Sequence, residues 1–525
     1  MKRIFVLLFT FIFLPIAVQG SPKLTVVFVV DQLASHYLTK LGSKLSGGIH
    51  KFMDQGIVYS EAYHPLGKPT TAAGHVSIAT GTVPALHGIV SNSWYEDGKK
   101  VVSDTDKHGK KSAEHQQIPT LTEHFLKAHP HNRSYALSYK SRSAIGLAGR
   151  NAPAIWFDKK TGKFKSSKKF FAVTPEWLSS FNHKHPLLNK KKNTWDLRHN
   201  DKKYYDFPCI DNYQYSRLKT LFKSGNLISR AKSPLGFIKQ FMLTPDANQT
   251  LLDLSYQVIT DTFDKNPDAH LLIWIGLSSL DKIGHRFGPQ SKEAVDTIYH
   301  LDTQMDSFMD QLAKIVSPKQ TFYVLTADHG IMPIPELLKQ CYNKKNPGQR
   351  VLIHEVKDLI NKDIKQQYGV GHVVSALPAP YVYLNQEKLD TLPPTIQFNV
   401  LGRIKEILES IPGIKNVYSA QDLYIQSLKR GNTQWLFANQ MYPRRSGHFV
   451  LEVEPGVLLA KKTKGTGHNS PSDYNLHVPL IFYQPQVSNH RVITKKVWIP
   501  QMTRTLATIL NVEAPSPYSM AELPG

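Results

Sequence analysis

Aspartates and histidines stand together at spacings that suit a divalent cation. Asp281-Lys-Ile-Gly-His285 sets a carboxylate and an imidazole four residues apart, and Asp328-His329 sets them side by side. A third imidazole, His468, closes the run Gly465-Thr-Gly-His468, whose glycines let the backbone come close to another segment. Carboxylate oxygen and imidazole nitrogen without thiolate suit a hydrolytic zinc site that keeps a position open for substrate. A hydroxyl is also at hand. In Pro69-Thr70-Thr71-Ala-Ala-Gly-His75 either threonine can stand at the start of a helix, where backbone N–H groups and the helix dipole favour an anion. Metal coordination would deprotonate such a hydroxyl at neutral pH, which threonine cannot achieve alone. Each feature has a plainer reading by itself: a threonine there caps its helix, and an isolated Asp-His pair is usually a surface or capping pair.

The elements that must position these groups change the balance. Three short, continuously apolar segments rich in β-branched or aromatic residues, Leu24 to Val30, Leu271 to Leu277 and Thr321 to Thr326, predict buried parallel strands. Asp31 follows the first directly, Asp281 follows the second after Ser278-Ser279-Leu280, and Asp328 follows the third after Ala327. Ligands of open α/β sheets bind beyond the carboxyl ends of strands, so the three acids can converge. Between the second and third strands, Ala294, Val295, Ile298, Leu301, Met305, Phe308, Leu312 and Ile315 recur at helical spacing. The β-α-β order predicts a right-handed crossover and parallel neighbours. Further strands are expected at Ser134 to Leu137 and around Val478 to Tyr483, where Pro479 suggests an edge or a strand start.

Two stretches interrupt this rhythm. Residues 161–265 are rich in Lys, Asn and Tyr and weakly periodic. Residues 336–465 carry a second small α/β pattern, with strand-like Tyr381 to Leu384 and helix-like Ile404 to Ile411. Both read as insertions over the carboxyl edge, leaving 21–160, 266–335 and 466–525 as the core. The fold expected is α/β, a mostly parallel central sheet with helices on both faces, carrying a smaller α/β lid.

Together Asp31, the Thr-Ala-Ala-Gly-His run, Gly81-Thr-Val-Pro-Ala-x-His87-Gly-Ile-Val-x-Asn92, Asp281-x-x-x-His285, Ala327-Asp328-His329-Gly330 and Gly-Thr-x-His468 resemble the alkaline phosphatase superfamily. Within it the chain resembles the phosphate-irrepressible alkaline phosphatases, which use threonine and are related to the nucleotide pyrophosphatase/phosphodiesterases. The resemblance runs from residue 24 to about residue 483 and is weakest in the insertions. It implies two Zn²⁺, one held by Asp281, His285 and His468 and one by Asp31, Asp328 and His329, with Thr71 as nucleophile and ligand beside the second. Thr70 competes for that role, but Thr71 directly precedes Ala-x-Gly-His and keeps the register to Asn92. Asn92 resembles the amide that binds a phosphoryl oxygen together with the Thr71 N–H. Lys140 and Arg142, in Ser138-Tyr-Lys-Ser-Arg142, resemble a pair of the monoesterase branch. At a strand end, a Lys-x-Arg pair points both cations to one side, which fits a dianionic monoester better than a monoanionic diester. The implied function is phosphomonoester hydrolysis through a phosphothreonine. The alternatives are a phosphodiesterase or nucleotide pyrophosphatase of the same superfamily and, in another class, an inactive polyanion-binding protein. Sulfatase chemistry is disfavoured, because neither Cys209 nor Cys341 begins a Cys-x-Pro-x-Arg pattern.

Bulk properties agree with an exported enzyme. A chain of 525 residues with 41% hydrophobic and 20% charged residues exceeds one core, and it shows no fixed-period repeat. Met1-Lys2-Arg3, the apolar run Ile4 to Val18 and Gln19-Gly20-Ser21 read as a signal peptide over 1–20, too short to span a bilayer. The expected location is therefore periplasmic or secreted. Two distant cysteines allow at most one internal disulfide and no thiolate cage. The net charge of +23 falls to +21 once Lys2 and Arg3 leave with the leader. Its Lys-rich stretches lack interleaved aromatics, so no specific nucleic acid is expected; weak association with anionic membrane surfaces is compatible with such a face. Small-molecule phosphate monoesters are the expected partners, and no protein partner is inferred.

Overall fold

All seven residues Leu24–Val30 are buried, as a strand covered on both faces requires. The computed structural model describes residues 20–187, 192–206, 226–230, 233–341, 348–425 and 428–525. In it this strand, β1, lies inside a nine-stranded sheet. The others in chain order are β2 (Ile57–Tyr59), β3 (Asn132–Ser138), β4 (Ala154–Asp158), β5 (Lys163–Lys165), β6 (His270–Leu277), β7 (Thr321–Thr326), β8 (Leu480–Tyr483) and β9 (Arg491–Ile493). Across the sheet they run β9-β2-β8-β7-β1-β6-β3-β4-β5, and only β8 and β5 oppose the rest. The sheet is mostly parallel and flanked by helices, as expected.

One expectation is corrected. β6 and β7 are parallel but are not neighbours, because β1 pairs with both and lies between them. The intervening helix Lys292–Leu312 has 21 residues and spans about 31 Å, enough to carry the chain over an intervening strand about 5 Å from each neighbour. Its apolar stripe from Ala294 to Leu312 is buried. Pro479 precedes β8, which has β7 on one side and β2 on the other, so the proline marks a strand start and not an edge.

The stretch 161–265 joins the large sheet and its core at both of its ends. Lys163–Lys165 is its edge strand, and Pro245–Lys265 is a long helix whose Leu251, Leu252, Val258 and Ile259 join the main core. Within 336–465, strands Val374–Ala376, Tyr381–Leu384, Phe449–Val453 and Ile414–Ser419 form a four-stranded sheet in that spatial order. Helices Ile353–Tyr368 and Pro394–Ser410 cover a separate apolar core that includes Ile360, Ile364, Val400, Ile404 and Leu451. The second helix begins ten residues before Ile404, with Pro394 in its first turn, a position proline favours.

The leader, but for Gly20, and Cys209 lie outside the described residues, so any Cys209–Cys341 pairing does too. Among the described residues no helix is long and apolar enough to cross a membrane.

Candidate active site

β6, β1 and β7 are adjacent and parallel, so their carboxyl ends open at one edge of the sheet. Asp31 is the first residue past β1, Asp328 the second past β7, and Asp281 lies in the first turn of helix Ser279–Phe287 just after β6. One helical turn on, His285 Nε2 comes within 3.2 Å of Asp281 Oδ1. His468 arrives from the Gly465 turn, where φ is +79° and an added Cβ would stand 2.5 Å from the His285 carbonyl. Glycine is needed there for both reasons.

Two clusters result. Asp281, His285 and His468 form one, and Asp31, Asp328 and His329 the other; within each, the candidate ligand atoms all lie within 4.8 Å of one another. They adjoin, for the His329 and His468 rings stack at 3.6 Å. Each imidazole is oriented by its far nitrogen. His285 Nδ1 donates to Thr466 O at 2.7 Å, His468 Nδ1 to Pro69 O at 2.7 Å, and His329 Nδ1 to Gly330 O at 2.9 Å. In the neutral form this turns every Nε2 lone pair inward, and those of His285 and His468 face each other at 3.2 Å. Lone pairs so placed repel unless a cation lies between them. Asp31 Oδ1, Asp328 Oδ2 and His329 Nε2 are buried without a hydrogen-bond partner. Such a donor set fits divalent ions, which compensate buried carboxylates and bind neutral imidazole.

The electrostatics point the same way. Burial, reinforced by the Asp281 and Asp328 charges, pushes the Asp31 carboxyl well above its usual range. Burial opposes ionisation of Asp328 too, but His329 and His75 outweigh it and hold that group below the usual range. Burial lowers both His468 and His329, favouring the neutral imidazole. In His285 the Asp281 charge overcomes burial and raises the imidazole.

Thr71 is the first residue of helix Thr71–Thr80, and Thr70 is its N-cap residue without a capping side-chain bond. The capping alternative therefore has no bond to rest on. This helix approaches the Asp328 loop so closely that a Cβ on Gly74 would fall 2.3 Å from the Asp328 carbonyl. Asn92 Oδ1 accepts from Ala72 N at 2.8 Å, which leaves the amide Nδ2 as the donor available to a ligand. The Lys140 ammonium, 3.4 Å from Thr71 Oγ1, bridges Asp31 and Asp281. Those two charges overcome burial and raise its affinity for a proton. Lys140 caps helix Ser141–Ala148, and Arg142 is that helix's second residue, so strand alternation does not orient the pair. Both are beyond the end of β3. They remain within electrostatic reach of each other, and Arg142 Nε is buried without a partner.

Three further residues brace the site. Gln32, at φ +76°, donates its backbone N–H to Asp328 Oδ1 at 3.2 Å, and its side-chain amide donates to Asp281 O and Oδ1 at 3.2 and 3.3 Å. It ties the two clusters together, and nothing in its residue type announces that. His75 donates to Thr71 O at 2.8 Å and lies 3.2 Å from Asp328 Oδ2; its place four residues after Thr71 was the available signal. His64 binds Ala327 O at 2.8 Å.

A family model described as type I phosphodiesterase / nucleotide pyrophosphatase matches residues 25–478. The chain is similar to alkaline phosphatase PafA of Elizabethkingia meningoseptica, 26% identical over 94% of this chain and 92% of that protein. It is also similar to alkaline phosphatase PhoV of Synechococcus elongatus, 26% identical over 95% and 91%. The crystal structure of wild-type PafA superposes with a TM-score of 0.83 at 25% identity, covering 96% of this chain and 98% of that one.

Proposed function

The chain belongs to the type I phosphodiesterase / nucleotide pyrophosphatase family, within the alkaline phosphatase superfamily, and from that membership we propose an exported phosphomonoesterase of alkaline phosphatase type that acts through a phosphothreonine at Thr71. It is a metal-dependent hydrolase. The observation that carries the reading is the pair of donor clusters beside a buried hydroxyl at a helix start, bridged by the Lys140 ammonium with the Arg142 guanidinium within electrostatic reach of it.

Asp31, Asp328 and His329 would hold one ion and Asp281, His285 and His468 another, and two zinc ions suit these oxygen and nitrogen donors. Bound there, they supply positive charge to the attacking and departing oxygens. Thr71 Oγ forms a bond to phosphorus as the ester P–O bond breaks in line. Water then breaks the Thr71 Oγ–P bond and releases phosphate. Through both steps the Asn92 amide, the Thr71 N–H, Lys140 and Arg142 hold the non-bridging oxygens, and fixed donors aimed at developing charge provide most of the acceleration. Gln32 holds Asp281 and Asp328 in register. The leader over 1–20 supports export to the periplasm or beyond.

Monoesters are favoured over diesters because two cations match a dianion. A panel of phenyl phosphate, diphenyl phosphate and phenyl sulfate, on zinc-loaded and chelated protein, tests the class: the monoester is expected to be the best substrate, and only with metal. Lys140→Ala with Arg142→Ala is expected to lower the ratio of monoester to diester kcat/KM by about 10²–10⁴-fold, the worth of two bonds to charged groups. Any effect on metal retention is common to both substrates and cancels in the ratio. Equal losses would eliminate the assigned role. Gln32→Leu is expected to weaken zinc binding about 10–100-fold in chelator competition; unchanged affinity would mean that its bonds do not position the ligands.

A further inference from the structure

Beside the donor clusters opens a cavity of about 820 Å³, bordered by Thr70, Asn92, His285 and His468. It therefore meets the site on the side of the Asp281 cluster, where the departing group would leave. Lys68, Arg286, Arg350, Lys461, Lys462 and Lys464 line it, and among the described residues no carboxylate does. Arg350 is neutralised by Glu336, at 2.7 and 2.9 Å. Lys68 is the unusual member. It is 4% exposed, its ammonium donates to Pro378 O at 2.8 Å and lies 4.8 Å from the Tyr381 ring centre, and it makes no ion pair among the described residues. Burial and the Lys461 charge push that ammonium down to about 7. An ammonium held from water without a counter-charge is costly, and the neighbouring Lys461 increases the cost. An anion in the cavity would relieve both.

We propose that this cavity receives the leaving group and selects esters whose leaving group carries a second anionic group, such as another phosphate, with Lys68, Lys461 and Lys462 as its partners. The inference rests on the phosphomonoesterase reading. It concerns what lies beyond the reacting phosphate: a single alkyl or aryl ester brings no second anion to Lys68, Lys461 and Lys462, whereas a bisphosphate does. The exposed ammoniums of Lys461 and Lys462 draw the second anion in, and Lys68 receives it where water is scarce and each charge-assisted bond is stronger.

The terminal bisphosphate of butanediol and butyl phosphate have closely matched leaving alcohols, so the second phosphate is the main difference between them. The bisphosphate is expected to have kcat/KM at least about tenfold higher, after halving for its two equivalent ends, the size of one bond to a charged group. Lys68→Met is expected to bring that ratio toward one. Lys461→Gln with Lys462→Gln, on the surface and harmless to folding, is expected to lower it at least about threefold, with a weaker dependence on added salt. A ratio near one in the unmodified enzyme, or a ratio unchanged in both variants, would overturn the proposal. Failure of the zinc-loaded enzyme to hydrolyse either ester would instead overturn the phosphomonoesterase reading on which it rests.

Discussion

Thr71→Ala is expected to lower kcat/KM on an aryl phosphate by at least about 10⁴-fold, because removing a nucleophile forfeits the chemical step and leaves only binding and electrostatics. The fold is expected to survive. Thr71 is 2% exposed and its helix receives no capping bond from Thr70, so the substitution removes one buried methyl and a hydroxyl, at about 1 kcal/mol. Thr71→Ser keeps the hydroxyl and is expected to stay within about tenfold of the parent enzyme. Thr70→Ala is the needed companion, since Thr70 Oγ1 is buried without a hydrogen-bond partner and stands next in line. Thermal melting and steady-state kinetics on the three variants decide the matter: robust turnover by Thr71→Ala, or loss confined to Thr70→Ala, would reassign the nucleophile.

Exhaustive chelation is expected to suppress turnover at least about 10³-fold and to lower Tm, both restored by zinc. An ion present at a thousandfold its dissociation constant stabilises the folded chain by about 4 kcal/mol. With an unfolding entropy of about 2 cal/mol/K per residue over 525 residues, that is about 4 °C for each ion. The stabilisation has a visible source. Three buried carboxylates repel one another, Asp31 most affected, and two inward-facing imidazoles present lone pairs at 3.2 Å. Full activity in protein shown by metal analysis to be empty would end the two-ion reading.

Much of this site could be read from the sequence because its geometry follows from strand ends. A buried parallel strand is a run of apolar residues, and the first acid past it stands near the ligand edge, so Asp31, Asp281 and Asp328 could be brought together from sequence alone. The residues alone left Thr70 and Thr71 both eligible at a helix start, and only the resemblance singled out Thr71. What strand ends could not supply was lateral order. Nothing in the runs at 24–30, 271–277 and 321–326 says which is central, and a crossover helix of 21 residues permits one strand between its ends. The Pro245–Lys265 helix was missed although Thr244-Pro245 is a start signal, because Asp, Gln and Thr dilute its stripe. Gln32 and Lys68 were illegible for another reason. Their roles come from a positive φ and from burial against segments hundreds of residues away, and neither leaves a mark on local pattern.

The bond from His468 Nδ1 to Pro69 O joins the loop before Thr71, the proposed nucleophile, to a turn 399 residues later in the chain. A ribosome delivers those partners at opposite ends of its work, so every growing chain shorter than residue 468 lacks one of the three donors of the Asp281 cluster. On the proposed reading, the catalytic centre is therefore completed only when the last ninth of the chain has been added, a delay built into the order of the sequence itself.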